Sequence, residues 1–492
     1  MTTSERRLCW GMLAILAVAG LDCGLDPDLG WHVRAGQYMV QTRSVIRHDP
    51  FSWTMPGYPW VDHEWATDTV TALLYGAGGL TALGLVMALV IAAAAVFVFL
   101  NRGRDVPPGT QAMVVLVLFV VVMPPIIGIR PQMLSLMFLA LVALLTSRNL
   151  AAGRWSSRLV WLLPLLFCAW ANMHGGFAAG LLYLAIVWFA RAVEAAQRAR
   201  QERGDVLGAI RRNAGQLGVV ILACIAATFV NAYGSAIYRE IFQTATDKLE
   251  MARIGEWQAP EMSPTFAVFW LLVIASPILA WLSRRPTRLE EALLYVVFMA
   301  MAVHSARNVA VAMVVIGPIL AAHVAAAWPR LGRELAATPA WFGVALVIMA
   351  AGLGAVRLHT TGACWTDEAA YGREGKFPYL AVADIAKEPP DSRGMCMYAW
   401  GGYLLRRLPD RKVFIDGRMA IWHQDGHQVF ADYDKLYNAA PGCLDLLKRY
   451  RFDWILVPTD APLGEILRAQ GGWRAHEYGD TSVLWTPVPA GA

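Results

Sequence analysis

The chain has 492 residues, of which 57% are hydrophobic and only 16% are charged, with a formal net charge of +5. Together with a mean hydropathy of +0.44, this composition excludes an ordinary soluble globular protein and predicts a polytopic α-helical membrane protein. The excess positive charge comes from arginines in the loops, so we expect membrane lipids, and no nucleic acid, among the partners.

Apolar stretches of membrane-spanning length predict about eleven transmembrane helices, the first of them an uncleaved span behind a short basic N-terminus. Several stretches break only at short polar or proline-containing tips, so residues 123–131, 172–176 and 304–308 are each predicted to turn a helical hairpin. Residues 66–75, ahead of a cluster of glycines, are too few to span and predict an interfacial helix. The eleven stretches are 8–24, 80–101, 110–127, 131–147, 157–172, 176–193, 214–231, 264–282, 289–304, 307–327 and 340–357.

Basic residues concentrate in alternate loops, most densely in the arginine-rich segment 191–212. By the positive-inside rule, this distribution predicts a cytoplasmic N-terminus. The first long loop, the three hairpin tips, the 231–264 loop and the C-terminal segment are then all expected on the outer face.

After residue 357 the composition becomes that of a soluble domain. We therefore predict a transmembrane domain over 1–357, with a first outer loop at 25–66, and a C-terminal extracytoplasmic α/β domain over 358–492. An outer location permits a disulfide there, and Cys364 with Cys396 is the preferred pairing. The predicted elements are helices at 379–387, 402–408, 444–450 and 462–470 and strands at 395–398, 412–416, 454–458, 473–478 and 482–486.

Acids, histidines and tryptophans crowd the first outer loop. Two carboxylates in an extended Asp-Pro-Asp segment can point at one position, to hold a divalent cation or to place a base beside an acceptor hydroxyl. A structural interpretation is equally open, in which Asp62 or Glu64 caps a helix and the tryptophans form an interfacial belt. The candidates in this loop are Asp26, Asp28, Trp31, His32, His63 and Glu64.

Polar residues at the outer ends of helices form a second candidate set, because an unpaired charge beside lipid is costly. Arginines there would suit a phosphate, since the guanidinium fork matches phosphate oxygens. In the alternative interpretation the arginines extend to lipid headgroups and the histidine packs at a hairpin tip. We expect the set to surround one outer-leaflet recess together with Asp28. It comprises Arg130, Asn172, His174, Glu256, His304 and Arg307.

The order of these features resembles a known family. A cytoplasmic start, a first span and a long outer loop that opens with an acidic pair are similar to the GT-C superfamily of polyprenyl-phosphate-sugar glycosyltransferases. More narrowly, the chain resembles bacterial membrane proteins with an Asp-Pro-Asp-Leu-x-Trp-His opening, in which Gly30 here replaces a usual second aromatic residue. The matching motifs are Asp26-Pro-Asp-Leu-Gly-Trp-His32, Asp49-Pro-Phe-Ser52, Trp60-Val-Asp-His-Glu-Trp65, Asn172-Met-His-Gly-Gly176, Trp400-Gly-Gly-Tyr403 and Phe414-Ile-Asp-Gly-Arg418.

The resemblance implies an enzyme of the bacterial inner (cytoplasmic) membrane. It would move a sugar, with inversion, from a polyprenyl-phosphate donor to a glycan, lipid or protein acceptor on the periplasmic face. Asp28 or Asp26 would act as general base, while basic residues neutralise the departing phosphate. Independently of the resemblance, the adjacent His63 and Glu64 are a second candidate acid–base pair. Some members of the superfamily use a metal and others do not; here Asp26 and Asp28 would hold it.

Two other functions stay open. In the first, the chain is a non-catalytic assembly partner in an envelope-glycan pathway and the loop acids are structural. In the second, it transports a lipid-linked glycan; that function needs charges at mid-depth in the spans, where the sequence has almost no ionisable residues.

The C-terminal motif at 414–418 also has two interpretations. In the structural one, Asp416 caps a tight turn and Arg418 pairs with it or with the membrane domain. In the other, the tail covers the cavity and selects the acceptor, which makes Trp422, His423 and His427 worth testing.

Overall fold

The structure is a computed structural model, and it describes residues 2–21, 25–124, 127–151 and 158–488. The chain divides into two compact units, of which the first comprises Met1–Asp22, Leu85–Ser235 and Ile254–His359. The second comprises Cys23–Gly84, Ala236–Arg253 and Thr360–Ala492. The second unit therefore unites the first loop with the C-terminal segment.

Helices make up most of the chain. In order they are α1 (Thr3–Ala19), α2 (Leu29–Thr42), α3 (Trp65–Leu100), α4 (Pro108–Val117), α5 (Gln132–Ala151), α6 (Leu162–Met173), α7 (Phe177–Gln201), α8 (Val206–Thr228), α9 (Ala236–Thr244), α10 (Lys248–Arg253), α11 (Ala267–Ser283), α12 (Leu289–His304), α13 (Asn308–Ala327), α14 (Pro329–Ala337), α15 (Ala340–Thr366), α16 (Glu368–Glu374), α17 (Val382–Ile385), α18 (Gly401–Arg407), α19 (Val429–Tyr437), α20 (Cys443–Tyr450) and α21 (Pro462–Gln470). The strands are β1 (Gly394–Cys396), β2 (His423–Gln424), β3 (His427–Gln428), β4 (Trp454–Pro458), β5 (Trp473–Tyr478) and β6 (Ser482–Pro487).

Among the described residues, seven helices are long and apolar enough to cross a bilayer, namely α3, α5, α7, α8, α11 with the turn before it, α13 and α15. The chain is thus a multi-pass membrane protein. The other predicted spans coincide with the shorter helices α1, α4, α6 and α12. A total of eleven spans stays a prediction, as does the orientation.

The helices break where the sequence predicts tips. α6 ends at Met173 and α7 begins at Phe177, while α12 ends at His304 and α13 begins at Asn308. A π-helical turn, Leu118–Val122, ends before the proline-rich third tip. Because glycine and proline interrupt helical hydrogen bonding, these breaks could be located from local sequence alone.

α3 is two helical pieces joined at a glycine kink. Gly78 has φ −159° and ψ 22°, and Gly79 has φ 59° and ψ −150°, which is a backbone conformation that only glycine adopts readily. The predicted short helix 66–75 corresponds to the piece before this kink. Its placement at a membrane interface stays a prediction.

The C-terminal segment forms a mixed four-stranded sheet of order β1-β4-β6-β5, in which β1 and β4 are parallel and the other pairs are antiparallel. The predicted strands at 395–398, 454–458, 473–478 and 482–486 and helices at 402–408, 444–450 and 462–470 are confirmed to within a few residues. The predicted helix at 379–387 is reduced to α17. α19 and the β2–β3 hairpin were not predicted.

The predicted strand at 412–416 is wrong, because its hydrogen bonds go to the first loop instead of the sheet. The amide of Val413 donates to the carbonyl of Phe51 at 3.0 Å, and the amide of Trp53 donates to the carbonyl of Val413 at 3.1 Å. Thr54 Oγ1 donates to the carbonyl of Phe414 at 2.6 Å. Residues 51–54 and 413–414 therefore run side by side as a short parallel pairing.

The preferred disulfide does not form. Cys364 and Cys396 are both free and buried. Cys364 lies near the end of α15 and Cys396 in β1, and each packs in its own surroundings as a small apolar side chain.

Gly30 of α2 and Gly402 of α18 meet backbone to backbone. A Cβ added to Gly30 would lie 2.0 Å from the carbonyl oxygen of Gly402, and one added to Gly402 would lie 2.7 Å from that of Pro27. Neither position has room for a side chain. In this chain the contact therefore requires glycine at both positions, one of which is the second glycine of the Trp-Gly-Gly-Tyr motif.

Candidate functional site

The acidic pair of the first loop is folded into a tight turn at the start of α2. Asp26 Oδ1 accepts a hydrogen bond of 2.8 Å from the amide of Asp28, and the carbonyl of Asp26 accepts one of 3.2 Å from Leu29. This is an Asx-type turn, which the intervening Pro27 favours. Asp28 occupies the N-cap position of α2. Both acids are only half-buried, so part of each side chain is exposed.

The carboxylate of Asp28 packs against the backbone of the Phe414–Arg418 motif. A Cβ on Gly417 would lie 1.8 Å from Asp28 Oδ1, so only glycine lets the carboxylate sit there. The carbonyl of Gly417 accepts a hydrogen bond of 3.0 Å from the Tyr398 hydroxyl, which holds this turn in place. The sequence did not predict that the motif positions Asp28.

Behind this acidic pair lies a buried cluster around His32. The His32 Nδ1 is 2.6 Å from Asp68 Oδ1, and its Nε2 is 3.6 Å from Glu64 Oε2. His63 Nε2 lies 3.7 Å from Glu64 Oε1. His32, Glu64 and Asp68 are buried, whereas His63 is partly exposed. Asp62 is also buried, and its Oδ1 accepts from the amide of Glu64 at 3.2 Å, as expected for a helix cap at the start of α3.

Burial raises the pKa of two carboxyls outside the helical span, Glu64 and Asp62. Burial raises the pKa of Glu64 to about 8; His32 opposes that rise, and the charges of Asp68, Asp62 and Asp28 add to it. Burial, with Asp68 beside it, also raises the pKa of Asp62 well above its ordinary value. Glu64 therefore carries its proton near neutral pH, because several adjacent buried carboxylates cannot all be ionised.

Glu64→Gln is expected to flatten the pH dependence of stability. In the folded protein Glu64 keeps its proton up to about pH 8, whereas the unfolded chain loses it near the ordinary value of 4.5. Unfolding thus releases a proton in that window, and stability falls as pH rises through it, by at most about 1.4 kcal/mol per pH unit. Glutamine mimics the protonated acid and removes this contribution.

The measurement is the melting temperature of the purified protein at several pH values between about 5 and 8. Glu477→Gln, at an exposed position of β5, is the matched control and should keep the wild-type slope. A slope unchanged by Glu64→Gln would mean that Glu64 is ionised in the folded protein.

Arg418 joins the first loop to the C-terminal segment through a fully buried ion triad. Its Nη1 is 2.8 Å from Asp49 Oδ1, and its Nη2 is 2.5 Å from Asp416 Oδ2. Asp416 also accepts from the backbone amide of Arg418 at 3.0 Å. The guanidinium lies over the rings of Phe51 and Trp60. The structural interpretation of the motif is therefore correct, with the pairing partner in the first loop.

The nearby candidates of the tail have partners within the second unit. Trp422 is buried and stacks on Tyr58, with ring centroids 4.6 Å apart. His423 Nε2 lies 3.0 Å from Asp247 Oδ2. His427 Nε2 lies 2.8 Å from Asp432 Oδ2. Trp31 in the first loop is likewise buried, and its ring lies 3.6 Å from that of His32.

In the first unit, two arginines converge on one carboxylate. Arg130 Nη1 is 3.0 Å from Glu256 Oε2, and Arg307 Nη1 is 3.8 Å from Glu256 Oε1. The Arg307 guanidinium lies 4.0 Å above the ring of Trp257. Burial acts to raise the pKa of Glu256, but the two guanidiniums outweigh it and hold that pKa below its ordinary value. The sequence predicted these three residues as candidates without predicting that they pair with each other.

Other predicted tip residues make hydrogen bonds within the protein. His174 Nδ1 accepts from the amide of Gly176 at 2.8 Å and lies 2.7 Å from Ser135 Oγ. Asn172 donates to the carbonyls of Cys168 and Val230, both at 2.8 Å. His304 is exposed at the end of α12. Within the described residues, no group of three or more histidine, cysteine or acidic side chains has a metal-binding arrangement.

Two solved structures of an archaeal oligosaccharyltransferase match the whole fold. The first is AglB from Archaeoglobus fulgidus in complex with an inhibitory peptide and a dolichol-phosphate. It has a TM-score of 0.54 and 12% identity, over 98% of this chain and 74% of that one. The second is the Archaeoglobus fulgidus enzyme tethered through a disulfide bond to an acceptor peptide that contains the NVT sequon. It has a TM-score of 0.53 and 11% identity, over 91% and 68%. The chain has the GT-C fold.

This confirms the fold that the first-loop motifs imply. No protein-family model matches the chain, and no curated protein sequence matches it. At this level of identity the likeness carries the GT-C fold alone. Within that fold, the half-buried acids Asp26 and Asp28 lie on the second unit with the His32 cluster, and the Arg130–Glu256–Arg307 group lies on the first. Their convergence on one recess stays a prediction.

Proposed function

We propose that the chain is a membrane glycosyltransferase that moves a sugar from a polyprenyl-phosphate donor to an acceptor on the outer face of the bacterial inner membrane. The observation that carries this proposal is Asp28: a half-buried carboxylate at the head of α2, seated in a space that Gly417 keeps open. It stands in a fold whose solved examples include one complex with an inhibitory peptide and a dolichol-phosphate and one with a tethered acceptor peptide.

In the proposed reaction Asp28 accepts the proton of an acceptor hydroxyl, or polarises an acceptor amide. The acceptor atom then attacks the anomeric carbon, and the bond from that carbon to the phosphate oxygen breaks with inversion. Asp26 fixes the Asp28 backbone through its 2.8 Å hydrogen bond. Asp26 and Asp28 are the residues that would hold a divalent cation, which would supply positive charge beside the acceptor.

The departing phosphate is proposed to bind Arg130 and Arg307. Both guanidiniums already face one anion, the Glu256 carboxylate, at 3.0 and 3.8 Å. Two guanidiniums beside a single carboxylate leave a net positive charge, and the guanidinium fork matches phosphate oxygens. Glu256 keeps the arginines apart and oriented until that phosphate forms.

The test is glycosyl transfer by the purified chain in lipid nanodiscs. Mixed polyprenyl-phosphate and polyprenyl-diphosphate sugars serve as donors, and peptide, glycan and lipid are offered as acceptors. We expect a glycosylated acceptor by mass spectrometry and an inverted anomeric configuration by NMR. No transfer to any acceptor class, from a chain that is folded and binds the donor lipid, would contradict the proposal.

A non-catalytic role in an envelope assembly is the second candidate. It is favoured by one observation, that most charged candidates are neutralised by partners inside the protein, as in the Arg418 triad and at Glu256. This role predicts that substitutions at Asp28 change neither donor consumption nor acceptor modification in the nanodisc assay.

Gly417→Ala is expected to lower glycosyl transfer by about tenfold or more while the fold is retained. The new methyl would overlap Asp28 Oδ1, so the carboxylate has to move. A displacement of about 1 Å can reduce a rate by about 10²-fold. Gly362→Ala is the matched control, because a Cβ there meets open space. Full activity of Gly417→Ala at an unchanged melting temperature would show that Asp28 takes no part in the reaction.

A further inference from the structure

A charged cleft lies at one end of the first unit, between α7, α8 and α12. Its volume is about 520 Å³. No residue of the proposed reaction lines it. Four guanidiniums surround it, those of Arg191, Arg198, Arg212 and Arg288.

An equal number of carboxylates lines the same cleft. They are Glu194, Glu202, Asp205 and Glu290. A simple anion entering the cleft would be repelled by four carboxylates, and a simple cation by four arginines. The lining therefore favours a ligand that carries both signs of charge within a few ångströms.

The sequence forms the cleft by helical spacing and a tight turn. Arg191 and Arg198 lie on one face of α7 with Ala195 and Ala199, and Glu202 follows directly after the helix. The chain then turns within three residues: Arg203 has φ 50°, and the amide of Gly204 donates to the carbonyl of Ala199 at 2.8 Å. Asp205 caps α8 by accepting from Gly208 at 3.0 Å.

The ion pairs inside the cleft are long. Arg191 Nε is buried and lies 3.8 Å from Glu290 Oε2, beyond hydrogen-bond distance. The Arg198–Glu194 and Arg288–Glu290 pairs measure 3.9 and 3.5 Å. By contrast, Arg285 and Glu291 nearby form a bidentate pair at 2.8 and 2.9 Å. The cleft arginines therefore keep donor capacity that a ligand could use.

The depth of the cleft points to a lipid. α7 and α8 are both candidate membrane spans, and the lining residues lie where the apolar part of each helix gives way to charge. That is the level of lipid headgroups. Ala195, Ala199 and Ala209 form a small apolar floor with Val206 packed against them, against which the glycerol end of a lipid can lie.

We propose that this cleft binds the headgroup of a zwitterionic phospholipid with a primary amine, that is, a phosphoethanolamine group. The guanidiniums bind the phosphate, and the carboxylates accept hydrogen bonds from the ammonium. By the arginine distribution this face is the cytoplasmic one, so the site is separate from the proposed glycosyl transfer and does not depend on it.

The test is lipid binding by the purified full chain. It is exchanged into nanodiscs of phosphatidylcholine that contain graded amounts of phosphatidylethanolamine or phosphatidylglycerol, and retained lipid is counted by native mass spectrometry. We expect selective retention of phosphatidylethanolamine. Arg198→Gln with Arg212→Gln should weaken it by about tenfold or more, because each removes charge-assisted hydrogen bonds. Arg200→Gln with Arg211→Gln, on the same helices but outside the cleft lining, is the matched control.

The Glu194→Gln/Glu202→Gln double variant tests recognition of the ammonium group separately from recognition of the phosphate. It should abolish the preference for phosphatidylethanolamine over phosphatidylglycerol while phosphate binding persists. Free O-phosphoethanolamine is added as a competitor. If it displaces the lipid only at millimolar excess, the ligand is the lipid. If it binds as tightly as the lipid, the ligand is a soluble molecule with the same phosphoethanolamine group. Equal retention of all three lipids, unchanged by the Arg198/Arg212 pair, would overturn the proposal.

Discussion

Asp28→Asn is expected to lower the rate of glycosyl transfer by about 10²–10⁴-fold, the range typical of a lost general base. Asparagine keeps the shape of the side chain, so the contact with Gly417 persists. It cannot accept the acceptor's proton. We therefore expect kcat to fall, with the melting temperature and the membrane level of the protein unchanged.

Asp26→Asn should be milder, since its visible role is to hold the Asp28 amide, and an asparagine oxygen can accept the same hydrogen bond. If a cation bridges the two carboxylates, the two losses should match and a chelator should reproduce them. Asp391→Asn, at an exposed position of the second unit, is the control. Undiminished transfer by an Asp26→Asn/Asp28→Asn double variant would refute the enzymatic role of this loop and favour the assembly partner.

Arg418→Met is expected to destabilise the second unit by about 3–5 kcal/mol, because it leaves two buried carboxylates without their counter-ion. The side chains of Arg418, Asp49 and Asp416 are 1%, 0% and 0% exposed. Burial acts to raise the pKa of Asp49, yet Arg418 and the hydrogen bond from Ser52 hold it below its ordinary value. Without Arg418 that pKa should rise, so the variant should lose less stability at acidic pH than at neutral pH.

The measurement is thermal or chaotrope unfolding at two pH values, followed by the intrinsic tryptophan fluorescence of the protein. Arg373→Gln is the control: its pair with Asp367 measures 3.9 Å, with side chains 61% and 56% exposed. Such exposed pairs contribute about 0–1 kcal/mol. Equal losses for the two variants would show that the triad is not stabilising.

Features of this structure could be predicted from the sequence where they depend on residues close together in the chain, and not where they depend on residues far apart. The helix breaks at 172–176 and 304–308 and the strands β4, β5 and β6 follow from local signals such as glycine pairs and alternating apolar residues. The predicted strand at 412–416 is wrong because the partner of this segment is a loop far away in sequence. Periodicity reports that a segment is extended but does not identify its partner.

The candidate site was predictable as a set of residues and not as an arrangement. Asp26, Asp28, His32 and Glu64 stand out because charge is rare in such an apolar chain. Asp68 does not, since it lies inside a helical stretch, and only its 2.6 Å contact with His32 reveals it. Likewise, nothing local to Gly417 predicts that its missing side chain makes room for a carboxylate of the first loop.

The triad of Arg418 has a consequence for biosynthesis. Arg418 and Asp49 are separated by 369 residues, and Trp53 and Gly394, which are also hydrogen-bonded, by 341. At about 5–20 residues per second, the ribosome needs tens of seconds to make the intervening chain. During that time the first loop has its acids but lacks the turn that seats Asp28. A nascent or truncated chain should therefore leave Asp28 without its contact to Gly417, and the first loop should become protease-resistant only when the last quarter of the protein has been made.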